Sequence, residues 1–239
     1  MRLLVTRPQH QAAATVLALQ SDGHEVLSSP MLERHFLDLP QPSGSFDNVA
    51  VTSRNAVDAL VRRWPEQARL AHPLFTVGDA TAAAAEEAGF ARVHSCKGDG
   101  HDLVQTLANH ARKNASATST VLYPCVLRPA FDLKSALEEH GITCLPWPLY
   151  AMEDATAFAP QVADMLRTSA FDGVLLYSAR TARRFAQLLK AEKLRAPSQI
   201  FALSQAICEA LPDELGSHCI HAQQPNEQAL RLLLLQGNH

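Results

Sequence analysis

Six hydroxyl-bearing residues stand at or just beyond the ends of short apolar runs: Thr6, Thr52, Ser53, Thr81, Ser178 and Thr181. Several of them open a stretch with helical patterning. A hydroxyl in that position can donate to an oxyanion, and the first helical turn adds unpaired backbone N–H groups and a partial positive charge. Arginines lie close by: Arg7 ends the first apolar run, Arg54 follows Ser53, and Arg180 follows Ser178. Together these groups could hold carboxylate or phosphate. Taken singly, each Ser or Thr is explained by helix capping, worth about 1 kcal/mol. Capping does not explain why two separate runs both end in serine with an arginine close behind.

The chemistry that lacks a signature narrows the choice further. No G-x-G-x-x-G follows the first run, and Gly98-Asp99-Gly100 sits in a later loop as a turn. There is no phosphate-loop lysine, no G-x-S-x-G elbow, no H-E-x-x-H and no Ser-His-Asp set that spacing could nominate. His218-Cys219-Ile220-His221 resembles a metal cluster in composition only. Strand alternation would split its histidines between two faces, and zinc needs three or four converging ligands. The five cysteines (Cys96, Cys125, Cys144, Cys208 and Cys219) form no C-x-x-C pair and read as reduced, buried thiols. An enzyme with this inventory would work mainly by positioning and electrostatics rather than by a strong nucleophile or metal.

Positioning requires a framework. The chain has 239 residues, of which 47% are hydrophobic and 19% charged, a globular composition with room for two domains. The formal net charge of −3 lacks the basic surplus that nucleic acid demands. Apolar stretches such as 232–235 fall far short of the roughly 20 residues that cross a bilayer, and no signal-peptide core precedes Arg7. These features predict a soluble cytoplasmic protein. Strands are expected at 3–6, 25–28, 48–52, 74–77, 92–94, 121–123, 143–145, 173–177, 200–203 and 219–221. Helices are expected at 9–19, 54–63, 80–88, 102–112, 131–140, 181–189, 205–211 and 227–235, with a polar loop at 113–120. Such alternation implies an α/β protein whose parallel sheets are covered on both faces. The pattern also recurs. Gly23 and Pro30 are repeated at the same spacing by Gly141 and Pro148, and the run Phe46-Asp47-Asn48-Val49-Ala50-Val51-Thr52-Ser53 is echoed by Phe171-Asp172-Gly173-Val174-Leu175-Leu176-Tyr177-Ser178. Internal duplication accounts for this order; two independently similar α/β domains are the alternative. Either way a cleft between two such domains is the expected place for an anionic small molecule.

Four stretches, in order, resemble the uroporphyrinogen-III synthase family: Leu4-Val5-Thr6-Arg7-Pro8, Val49-Ala50-Val51-Thr52-Ser53-Arg54-Asn55-Ala56-Val57, Val77-Gly78-Asp79-Ala80-Thr81-Ala82, and Phe171 to Ser178. The resemblance covers essentially the whole chain. It implies two flavodoxin-like parallel-sheet domains joined by a two-stranded connection, with residues 1–35 plus 152–239 forming one domain and 36–151 the other. It implies a monomeric, cofactor-free lyase that closes the linear tetrapyrrole hydroxymethylbilane to uroporphyrinogen III with loss of water and inversion of the last pyrrole ring. Uncatalysed closure without inversion competes, so specificity would lie in positioning. Thr52, Ser53, Thr81 and Ser178 fall on the family's cleft hydroxyls, Arg7, Arg54 and Arg180 are candidate carboxylate binders, and Tyr150 falls on a tyrosine that is a candidate acid for hydroxyl loss. The other reading of Tyr150 is an interfacial aromatic whose hydroxyl is merely hydrogen-bonded.

Two segments depart from the family pattern. A threonine expected in the final turn is replaced by Ile207 in Ser204-Gln205-Ala206-Ile207-Cys208, leaving Ser204 as the hydroxyl there. A glycine-bearing loop is replaced by Pro124-Cys125-Val126-Leu127-Arg128-Pro129. These departures keep two alternatives open: a non-catalytic two-domain binder of an anionic small molecule, and a degenerate synthase.

Overall fold

The computed structural model describes residues 1–113 and 119–236; positions 114–118 of the expected polar loop lie outside the described residues. Along the chain the elements are β1 (Arg2–Val5), α1 (Gln9–Ser21), β2 (Glu25–Ser28), β3 (Leu32–Phe36), β4 (Asn48–Val51), α2 (Arg54–Arg63), α3 (Glu66–Ala71), β5 (Leu74–Thr76), α4 (Asp79–Glu87), β6 (Val93–Ser95) and α5 (Gly100–Lys113). They continue with β7 (Ser119–Val126), α6 (Leu133–Glu138), β8 (Ile142–Asp154), α7 (Pro160–Arg167), β9 (Gly173–Leu176), α8 (Ala179–Ala191), β10 (Gln199–Ala202), α9 (Gln205–Cys208), α10 (Asp213–Gly216), β11 (Cys219–His221) and α11 (Glu227–Gln236). No described helix is long and apolar enough to cross a membrane.

The chain divides into two compact units, Met1–Glu33 with Glu153–His239, and Arg34–Met152. The first holds a five-stranded sheet in the order β11-β10-β9-β1-β2. The second holds a six-stranded sheet in the order β3-β8-β7-β4-β5-β6. Pairings are parallel from β2 across to β11, and likewise from β8 across to β6. Strands buried on both faces read as unbroken apolar runs, and β4 and β9 are fully buried along their length.

The repeated sequence marks sit at equivalent places. Gly23 and Gly141 take φ of +84° and +72°, the left-handed turn that releases a helix into the next strand. The strands they precede, β2 and β8, each flank the strand that comes before them in the chain. β4-α2-β5 and β9-α8-β10 match as well. Five strands therefore follow one order in both sheets, β2-β1-β9-β10-β11 in the first unit and β8-β7-β4-β5-β6 in the second. The first is the doubly wound 2-1-3-4-5 order; the second is its permutation, entered at the third strand.

Each unit carries its own cores. In the first, Phe158, Phe185 and Leu188 pack below the sheet with Leu4 and Leu176, while Leu3, Leu19, Phe201 and Leu230 fill the opposite face. In the second, Leu60, Trp64, Trp147 and Tyr150 occupy one side and Phe75, Leu103, Leu107 and Ile142 the other.

Several elements differ from the sequence expectation. β8 runs through Pro146 and Pro148, and β7 takes in Pro124, Cys125 and Val126, which the sequence assigned to a loop. Proline is tolerated in β7 because its pairing with β4 extends only over Asn48–Val121 and Val49–Leu122. The helix expected at 205–211 ends at Cys208. α3, α7 and α10 were not anticipated; α7 opens with Pro160 in its first turn and buries Val162, Ala163 and Leu166. The reading of all five cysteines as thiols is corrected: Cys208 and Cys219 form a disulfide. The chain doubles back through α10, which brings the end of α9 to the start of β11 with a Cα separation of 5.6 Å. Cys96, Cys125 and Cys144 are free.

Candidate functional site

In doubly wound sheets the crevice opens where neighbouring strands send their connections in opposite directions. In the second unit that place lies between β7 and β4. Their pairing stops at Val49–Leu122, so the chain beyond Tyr123 is no longer held against β4. Thr52 and Ser53 follow β4 directly. Ser53 caps α2, its Oγ accepting from the Ala56 amide at 3.2 Å, and lies 2.9 Å from the Tyr150 hydroxyl. Tyr150 is brought there by the long β8 and is buried among Trp147 and Leu149. Burial raises its pKa above the ordinary 10.0, while the Ser53 hydrogen bond and the Arg34 charge pull it back. Arg34 is itself held by Asn55 at 2.9 Å and Asp58 at 2.8 Å.

Thr52 points to a residue that the sequence did not nominate. Its Oγ1 lies 3.4 Å from the hydroxyl of Tyr123 on β7. Both line a recess of about 290 Å³ with Val77, Val126, Pro129 and Phe131. Burial pushes the Tyr123 phenol up to about 12. The available signal was a tyrosine inside an apolar strand run, Val121-Leu122-Tyr123, which also reads as core. Arg54 is exposed and donates to the Ala80 carbonyl at 3.2 Å. Thr81 lies in the first turn of α4 and is only 7% exposed, with its amide bonded to the Gly78 carbonyl.

In the first unit the corresponding place lies between β1 and β9, and the protein's own side chains occupy it. Thr6 Oγ1 donates to the Leu175 carbonyl at 2.7 Å. The Arg7 guanidinium lies 4.4 Å over the Tyr177 ring and donates to Glu227 at 2.6 Å, Thr15 at 3.1 Å and Gln11 at 3.3 Å. Tyr177 also donates to Glu227, and burial with that carboxylate holds its phenol protonated. Ser178 caps α8: its Oγ accepts from the Thr181 amide at 3.1 Å and lies 2.8 Å from the Thr181 hydroxyl. Arg180 pairs with Asp154 at 2.8 Å.

The nominated residues thus form two groups. Thr52, Ser53, Arg54, Thr81 and Tyr150 belong to the second unit, and Arg7, Ser178 and Arg180 to the first. Ile207 is in the core of the first unit, and Ser204 precedes α9 without a side-chain capping bond. Cys219 is committed to Cys208, and among the described residues no three His, Cys, Asp or Glu side chains converge as a metal would require.

Comparison with known proteins agrees with this architecture. Uroporphyrinogen-III synthetase from Helicobacter pylori is similar over 100% of both chains, with a TM-score of 0.67 at 16% identity. A mutant uroporphyrinogen III synthase from Thermus thermophilus is similar over 99% of this chain and 97% of its own, with a TM-score of 0.57 at 17% identity. At that identity the likeness is one of fold. No curated protein matches the sequence. The family model described as uroporphyrinogen-III synthase HemD matches residues 13–231. With that match over nearly its whole length, the chain belongs to the uroporphyrinogen-III synthase family.

Proposed function

We propose that the hydroxyl-bearing ends of the strands are where this chain, as a cyclising lyase, closes hydroxymethylbilane to uroporphyrinogen III. The observation that carries the reading is the Ser53–Tyr150 pair, 2.9 Å apart at the capped start of α2. Ser53 Oγ already accepts the Ala56 amide. When its own proton goes to the Tyr150 oxygen, the phenol proton is left to donate outward. Tyr150 gives that proton to the terminal hydroxyl of the substrate, which departs as water and leaves an electron-poor azafulvene. Ser53 then steadies the phenolate until Tyr150 takes back the proton that the last ring releases on regaining aromaticity after re-closure. The substituted carbon of the last ring attacks, and the resulting spiro species fragments and re-closes with that ring inverted. These bond changes use the substrate's own reactivity. What the protein supplies is orientation.

With the Ser53 proton committed to Tyr150, Arg54 and Thr81 are the carboxylate binders of the second unit, and Arg7, Ser178 and Arg180 those of the first. Arg7 and Arg180 each already have a carboxylate partner, Glu227 and Asp154. Substrate binding at these two therefore exchanges one anion for another, at a smaller net gain than a free arginine would give. Action as a monomer in the cytoplasm, needing no cofactor, is part of the same proposal.

The test is incubation with freshly generated hydroxymethylbilane and separation of the type I and type III isomers. The type III isomer is expected, formed faster than the uncatalysed reaction. Type I alone, at the uncatalysed rate, overturns the reading.

A further inference from the structure

The two units share one strand order, and so share two crevices of the same origin. One is filled by Arg7, Tyr177 and Glu227. The other, between β7 and β4, is an open recess of about 290 Å³. Sites for whole small molecules run from about 300 to 1,000 Å³, so this one has room for a single substituted ring and not for a tetrapyrrole.

The lining says what kind of ring. Val77, Val126, Pro129 and Phe131 supply apolar walls, and no lysine, arginine or histidine lines it. Phe131 is seated against Gly100, where an added Cβ would come within 2.5 Å of its ring. The N-terminus of α5 adjoins the recess, but it is already used. Asp99 accepts from the amides of His101 at 2.7 Å and Asp102 at 3.3 Å, while its own amide donates to Asp102 at 2.9 Å. These amides hold Asp99 ionised, with its pKa below the ordinary carboxylate range. A carboxylate entering the recess would meet a carboxylate and no cation. The polar end is instead neutral. The hydroxyls of Thr52 and Tyr123 are 3.4 Å apart, beyond the roughly 2.7–2.8 Å of a well-formed O–H···O bond. Two oxygens so spaced are only weakly engaged with each other, and a single N–H donor can be shared between them.

We infer that this recess takes one pyrrole ring of the substrate by its flat apolar faces, that Tyr123 and Thr52 accept the ring N–H, and that the carboxylate arms stay outside. The inference rests on the proposed substrate and deepens it. Tyr123 becomes a binding and specificity residue immediately before the segment where the chain departs from the family pattern. Its phenol stays neutral across the working range, so recognition does not depend on its ionisation.

The test has two arms. In the first, KM and kcat on hydroxymethylbilane are compared for the unaltered chain and Tyr123→Phe. One lost hydrogen bond raises KM between about threefold and tenfold. The same change leaves kcat within about twofold and the melting temperature unchanged. In the second, a monopyrrole carrying acetate and propionate arms, and its furan counterpart with oxygen in place of N–H, are titrated while the methyl signals of Val77 and Val126 are followed. The pyrrole is expected to bind the unaltered chain more tightly by at least the same factor, and the preference should shrink in Tyr123→Phe, where Thr52 is the one hydroxyl acceptor left. Equal affinity of pyrrole and furan for the unaltered chain overturns the inference. So does an unchanged KM in the variant, whether or not its melting temperature falls. If the chain makes no type III isomer but still prefers pyrrole to furan, the proposed reaction fails and the ring site stands.

Discussion

At the scale of the residue, the group on which the proposed reaction turns is Tyr150, read from the sequence either as an acid or as a hydrogen-bonded core aromatic. It is an aromatic of the core, 4% exposed, and its hydroxyl meets Ser53 beside the capped start of α2. Replacing it with phenylalanine keeps the buried ring and removes one hydrogen bond, which costs about 1 kcal/mol of stability. If the phenol is the acid, turnover falls far more than stability does, by about a hundredfold or more. Turnover and thermal unfolding of Tyr150→Phe separate the two roles; unchanged turnover leaves the phenol only structural. The pH dependence follows from the same group. Burial raises its pKa above 10.0, so the proton-bearing form persists throughout the range below pH 10. Turnover attributable to Tyr150 should therefore show no alkaline limb below about pH 10. Arg7 shows how a residue's type is legible in the sequence while its engagement stays hidden. The sequence shows an arginine at a strand end, but its partner Glu227 arrives from the far end of the chain.

At the scale of the element, the strand-helix alternation was legible because parallel strands buried on both faces leave unbroken apolar runs, as in Val49-Ala50-Val51 and Gly173–Leu176. The β7–β8 layer was not legible in the same way. Pro124, Pro146 and Pro148 read as strand breakers, and the sequence does not reveal which strand edges go unpaired. The disulfide was hidden for a related reason, since only the turn through α10 brings Cys208 to Cys219. Tyr123 was missed because a tyrosine in an apolar strand looks like core until its hydroxyl is placed beside Thr52. The same layer makes an alkaline prediction. Burial raises Cys125 from 9.0 to about 11, Cys144 from 9.0 to about 12 and Tyr123 from 10.0 to about 12. All three are neutral in the folded state over a range in which the unfolded chain has begun to ionise. Their contribution to stability is fully present below pH 9 and is lost as the pH rises towards 11–12. Denaturant midpoints measured from pH 8 to 11 should fall. The double variant Cys125→Ala/Cys144→Ala should start from a lower midpoint but decline less steeply with pH. A decline of equal slope would place the sensitivity elsewhere.

At the scale of the whole molecule, the repeated marks and the shared strand order describe one architectural unit used twice, the second time permuted. The permutation explains why sequence halves and structural units do not coincide. The chain begins the first unit with β1-α1-β2 and completes the second unit from Arg34 to Met152. It then returns at Glu153 to add β9, β10 and β11. The inserted unit is continuous in sequence. Its sheet lies between two cores, one built on Leu60, Trp64 and Trp147 and the other on Phe75, Leu103 and Leu107, with every member drawn from its own residues. A stretch of that length with its own double-sided core meets the size at which single domains fold alone. Residues 34–152 expressed as a separate chain should therefore unfold in one cooperative step and retain the recess of Thr52 and Tyr123. The remaining residues must close their sheet from two separated pieces, since β9 pairs with β1 at Leu3–Gly173 and Leu4–Val174. Loop closure favours that pairing only while the inserted unit is folded and its ends are held in place. Destabilising the inserted unit with Leu60→Ala, which should cost about 2–5 kcal/mol in a packed core, is thus expected to lower the stability of the other sheet as well. Hydrogen exchange at the amides of β1 and β9 in that variant reads this coupling directly. Exchange there unchanged from the unaltered chain would mean that the discontinuous unit assembles without help from its insert.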